Sequence, residues 1–153
     1  MKKLVVLISA AMISFAGLAA VPPTAWVVTG KDRINCEKIH FGISNARITL
    51  QNGEKLVVSL KELESYCLNG FIFDKKVLHK NGSQTAEEAF MQLLKKRGNL
   101  SLYRNVEFDP ESNDPLVSYD VFYIYQGEDM YLKLDEKTMP NVLKYFGLKW
   151  SYR

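Results

Sequence analysis

The chain has 153 residues, 47% of them hydrophobic and 24% charged, with a formal net charge of +3. That length suits one domain with a real core. The excess charge is weak and makes no continuous Lys/Arg stripe, so no nucleic-acid partner is expected.

Residues 1–20 read as a secretory signal peptide. Lys2 and Lys3 precede an apolar run from Leu4 to Phe15, and small residues follow at Gly17, Ala19 and Ala20. Cleavage after Ala19 fits the small-residue rule, and cleavage after Ala16 or Ala20 remains open. Setting Lys2 and Lys3 aside takes two positive charges from the +3 and leaves +1. After the signal, no apolar segment is long enough to span a bilayer, so no transmembrane segment is expected. Cys36 is the first cysteine, too far from the cleavage site for a lipid-modified N-terminus. The expected location is the periplasm or the outside of a bacterial cell.

Residues 21–25, with Pro22 and Pro23, read as an extended leader, and 26–153 as a single domain. Trp26, Val27 and Val28 start a strand, and Gly30 to Asp32 read as a turn. Ile34, Cys36 and Ile39 mark the next extended piece. Ala46, Ile48 and Leu50 alternate with polar residues, Asn52-Gly53 supplies a hairpin turn, and Leu56 and Val58 continue the buried face. Residues 59–66 fit either a helical turn or the lead into a strand. Leu68, Asn69-Gly70 and Phe71 to Phe73 suggest another turn and strand, with a separate extended piece at Val77 to His79.

Residues 85–97, TAEEAFMQLLKKR, carry the most complete helix pattern. Ala86, Ala89, Phe90, Leu93 and Leu94 repeat at three- and four-residue intervals. Thr85 and Glu88 fit a capping box, acids lead, bases follow, and Gly98 suits a C-cap. The helix is expected to cover a sheet. Residues 104–115 form a polar connection whose acidic part lacks the glycine and terminal glutamate of an EF-hand loop. Residues 116–126 and 130–134 alternate as a hairpin about Gly127. Thr138, Pro140 and Gly147 frame a short helix over 138–146, and Leu148, Trp150 and Tyr152 suggest a packed tail.

The fold class expected is therefore α+β: a predominantly antiparallel sheet, a central amphipathic helix at about 85–97, and a short C-terminal helix at about 138–146. The order of TGKDRINCEKI, NARITLQNGEKLVVSLKELESY, RGNLSLY, YIYQGED and LDEKTMPNVLKYFG resembles small uncharacterised exported proteins of the Bacteroidota. The resemblance implies envelope or secreted localisation and one-domain organisation, and brings no catalytic residue or cofactor.

The candidate binding face is the row Tyr119, Tyr123, Tyr125, whose rings suit a sugar or an apolar peptide side chain. The competing reading of that row is ordinary packing in a sheet. Cys36 and Cys67 fit either a disulfide, permitted by export, or two separately buried thiols. His40 and His79 lack neighbours that would make either a base or a ligand, and no metal, cofactor or catalytic set is indicated. No G-x-S-x-G elbow or H-E-x-x-H helix occurs. The leading expectation is a non-enzymatic exported binding or accessory protein with a protein or carbohydrate partner. A small hydrolase assembled from distant residues is the first alternative, and a structural or inhibitory protein the second.

Overall fold

The computed structural model describes residues 25–80, 83–109, 111–114 and 116–149, with only the backbone described for His79, Lys80 and residues 83–86. The expected signal peptide, most of the expected leader, Asn81-Gly82 and the tail from Trp150 lie outside the described residues.

Among the described residues, eleven strands and one short helix make a predominantly antiparallel α+β fold. β1 (Ala25–Thr29) and β2 (Asp32–Cys36) form a hairpin. β3 (Lys38–Phe41), β4 (Asn45–Thr49) and β5 (Lys55–Ser59) make a separate three-stranded sheet. β6 (Leu63–Leu68), β7 (Phe71–Lys80), β8 (Ser83–Arg97), β9 (Leu100–Phe108), β10 (Ser118–Gln126) and β11 (Asp129–Lys133) then run as a meander. β1 pairs with β6 and completes an eight-stranded sheet, with β2 at one end and β11 at the other. Residues 59–66 thus contain the end of β5, a turn and the start of β6, with no α-helix. Local chemistry sets the β6–β7 turn: Leu68 pairs with Phe71 across Asn69 and Gly70, whose φ angles of 53° and 81° are both left-handed. Asn-Gly is the favoured pair for that geometry.

The expected central helix is overturned, because residues 85–97 belong to the fifteen-residue strand β8. Its apolar residues serve two faces instead of one stripe. Met91 and Leu93 join one cluster, whereas Phe90 and Leu94 join two others on the opposite side. Met91, off the helical stripe, is fully buried. A strand sandwiched on both faces loses the polar alternation that would advertise it. Ala, Glu, Leu and Lys favour helix only weakly, and pairing with β7 and β9 overrides that preference. Gly98, at φ 61°, turns the chain between Arg97 and Leu100 in the β8–β9 hairpin, where a helix cap was expected.

The large sheet rolls. The Tyr125 hydroxyl on β10 donates to the Val77 carbonyl on β7 at 2.7 Å, although β8 and β9 lie between them in the sheet order. The inner face of the roll holds Met91, Tyr103, Val121, Tyr123 and Tyr125. The outer face is covered in two places. The small sheet buries Ile39, Ala46 and Ile48 against Ala25, Val27, Cys36 and Leu63. The helix α1 (Met139–Phe146) buries Met139, Leu143 and Phe146 against Leu102 and Ile124. Full burial of each such aliphatic side chain contributes roughly 1.5–3 kcal/mol. Between the two covers, the Tyr66 ring stacks on Phe73 at 4.8 Å and meets Phe90 edge-on at 5.3 Å.

The C-terminal helix forms where expected, with its start organised differently. The Thr138 side chain makes no cap bond to the helix it precedes. Asp135 and Thr138 bond reciprocally instead: Thr138 N–H donates to Asp135 Oδ1 at 2.7 Å, and Asp135 N–H to Thr138 Oγ1 at 3.1 Å. This capping box opens a turn one step earlier, with Met139 N–H donating to the Asp135 carbonyl at 3.0 Å. These bonds to Thr138 hold the Asp135 carboxyl below its usual range.

Candidate functional site

β10 and β11 differ in length, and that mismatch leaves backbone unpaired. β10 has nine residues and β11 five, and their register covers only Tyr123 to Gln126. Leu134 N–H adds one bond to the Phe122 carbonyl at 2.9 Å, after which the chain leaves for the Asp135–Thr138 box. In an antiparallel strand the N–H and C=O of one residue point to the same side, and the side alternates. The orientation of Phe122 therefore turns the backbone groups of Ser118 and Asp120 toward the β11 side. Among the described residues no strand pairs with them there.

A groove of about 750 Å³ runs beside this open edge. Val121, Phe122, Leu134, Met139 and Pro140 give it apolar walls, and Tyr119 stands over it. Its rim is acidic, with Asp120, Asp135 and Glu136 set against the single cation Lys133. Lys133 lies 3.9 Å from Glu107, and Arg104 lies 3.6 Å from Asp120. The same end of the sheet presents Phe108 and Leu116, which are 67% and 82% exposed. Among the described residues neither proline nor bulge falls at Ser118 or Asp120, and the charge carried by the edge there is that of Asp120.

The tyrosine row does not form one exposed face. Tyr119 is 46% exposed, while Tyr123 and Tyr125 are buried at 2% and 0%. The Tyr123 hydroxyl donates to Glu107 Oε1 at 2.6 Å, and burial followed by that bond raises its pKa. Burial, with a smaller contribution from Glu128, pushes Tyr125 up to about 12. Alternation placed the three on one side correctly, and the roll then closed over two of them. Only Tyr119 remains available to a ligand.

Cys36 and Cys67 are free buried thiols. They stand on β2 and β6, with β1 between them. Cys36 pairs with Ala25 and Cys67 with Trp26, so successive β1 residues direct them to opposite faces. His40 lies exposed on β3 opposite Arg47. His79 has its backbone in β7, and its side chain is outside the described set. No cluster of three or more His, Cys, Asp or Glu side chains among the described residues is placed to hold a metal ion. No helix among them is long and apolar enough to cross a membrane.

A second concavity, about 680 Å³, opens on the inner face of the roll. Asp74 anchors its floor: Ser65 Oγ donates to Oδ1 and the Tyr103 hydroxyl to Oδ2, each at 2.6 Å. Burial and then the bond to Asp74 raise the Tyr103 pKa. These groups come from three strands spread over the sequence, so no local motif announces them. The open edge did leave a trace in sequence, since the alternating run 116–126 is much longer than 130–134.

Comparison of the chain with protein-family models, with curated proteins and with solved structures finds no match.

Proposed function

We propose that this chain is an exported, envelope-associated binding protein without catalytic activity, which takes an extended peptide segment of its partner as an added strand. The observation that carries this reading is the open β10 edge at Ser118 and Asp120, with an apolar groove beside it. Backbone donors and acceptors in a row accept another strand, and side-chain pockets along it select the sequence. The acidic rim of Asp120, Asp135 and Glu136 favours a segment that alternates apolar residues with Lys or Arg. The signal-like pattern of residues 1–20 supports export.

The test uses a set of peptides about seven residues long, the typical length of a strand. Alternating apolar/Lys peptides and apolar/Glu peptides of matched composition are titrated against the mature chain. Amide exchange is then followed residue by residue. The Lys series binds better, and its binding slows exchange at Ser118 and Asp120. Asp120→Pro removes one edge N–H at a position where proline is tolerated. It lowers affinity about ten-fold or more, as expected for a lost backbone bond that strands its partner, while circular dichroism is preserved. Protection elsewhere, or equal binding by folded Asp120→Pro, overturns the reading.

A further inference from the structure

The inner concavity contains a charge that the edge groove does not use. Lys76 is a charged side chain buried to 6% exposure. Its Nζ lies 5.5 Å from the centre of the Tyr103 ring and 5.4 Å from that of Tyr125. It donates to Glu128 Oε2 at 2.9 Å and, more weakly, to the Gly127 carbonyl at 3.4 Å. A buried ammonium needs such a partner, because removal from water costs several kcal/mol when it is uncompensated.

The partner is unusual in its placement. Glu128 sits in the two-residue β10–β11 turn, and its side chain is 87% exposed. A buried cation is thus answered by a carboxylate at the tip of a hairpin, free on its solvent side. On the other side of Lys76 the concavity continues to Asp74, whose two oxygens are already oriented by Ser65 and Tyr103. That carboxylate repels a second anion and accepts hydroxyl donors. Asn99 and Ser101 line the same space with further polar groups. The volume lies in the range of small-molecule sites. It also exceeds what a bare carboxylate such as acetate would fill.

From this juxtaposition we infer that the inner concavity is a sugar-acid site, in which Lys76 takes the ligand carboxylate in place of Glu128 and Asp74 takes its hydroxyls. The site shares no residue with the edge groove and stands or falls independently of it.

The experiment titrates the mature chain with glucuronate, glucose and acetate, followed by calorimetry and by shifts of the Lys76 and Tyr103 signals in magnetic resonance spectra. Glucuronate binds and moves both signals, glucose and acetate bind at least about ten-fold more weakly, since each lacks one charge-assisted bond. Glu128→Gln removes the internal competitor, an exposed carboxylate on a buried ammonium, so glucuronate binds up to about five-fold more tightly. Asp74→Asn, which keeps the shape of the side chain, reduces the preference for glucuronate over acetate. A purely structural Lys76–Glu128 pair would give no tighter binding in Glu128→Gln. Absence of glucuronate binding in both the native chain and Glu128→Gln, or equal binding of glucose and glucuronate, overturns the inference.

Discussion

The Tyr125 hydroxyl and the Val77 carbonyl are 2.7 Å apart, on strands separated in the sheet by two others. A flat sheet would hold those strands about 14 Å apart, three interstrand spacings. The bond therefore measures how far the sheet has rolled. Irregular registers accompany that roll, because the pairing shifts register between β7 and β8 and between β8 and β9. Bulges increase local twist and bend the strand that carries them. The consequence for function is direct. Rolling brings the β10–β11 turn over β7, which places Glu128 on Lys76 and encloses the inner concavity.

Tyr125→Phe keeps the ring and removes this bond, at a cost of about 1 kcal/mol measured by urea unfolding. The same residue sets an alkaline limit. Burial holds its folded pKa at about 12, against about 10 in the unfolded chain. For a raised pKa the stabilisation is complete below the unfolded value and is lost as pH rises toward the folded one. Stability of the native chain should fall between about pH 10 and 12. The fall should be shallower in Tyr125→Phe, with the remainder owed to Tyr103 and Tyr123, which are raised in the same direction.

Met91→Ala tests the placement of β8. Met91 is fully buried on the inner face, while Lys95 on the same strand is exposed. Truncating Met91 should cost about 2–5 kcal/mol in denaturant unfolding. Lys95→Ala should stay within about 0.5 kcal/mol. A small effect at Met91 would return residues 85–97 to the helical reading, whose apolar stripe leaves Met91 out.

The two cysteines should remain reduced even under export conditions. Two interstrand spacings put their Cα atoms about 10 Å apart, beyond the roughly 7 Å that a disulfide spans. Their side chains also leave β2 and β6 on opposite faces. Alkylation of the chain unfolded without reductant should label both thiols, and reductant should leave the melting temperature unchanged. In the folded chain Cys36 should react slowly at neutral pH, because burial and then the neighbouring Cys67 raise its pKa. A mass lower by two hydrogens with no labelling would contradict this geometry.

The turns were the most legible part of the chain. Asn52-Gly53 and the turn at Gly127 join the strands expected of them, and Asn69-Gly70 turns where expected into the strand from Phe71. Turn chemistry acts over four residues and needs no distant partner. The short helix was legible for the same reason, since Pro140 and Gly147 mark its ends locally. At its start the role of Asp135 was not legible, because an Asp and a Thr three residues apart bond usefully only once the chain has turned. The segment 85–97 failed in the opposite way. Its three- and four-residue repeats satisfied a helix, whereas pairing with β7 and β9 made it a strand whose middle, Phe90 to Leu94, packs on both faces.

By itself, the sequence determined the predominantly antiparallel character of the fold, most of its turns and the final helix, because these follow from local φ/ψ preferences and short-range alternation. Only the tertiary structure decided which faces are buried. It turned residues 85–97 into a central strand, closed the roll over Tyr123 and Tyr125, and left Tyr119 outside. It also joined Lys76 to Glu128 and, among the described residues, left Ser118 and Asp120 without a strand on the side away from β9. The physical reason is that burial and strand pairing depend on contacts between residues far apart in the chain, which no local pattern specifies.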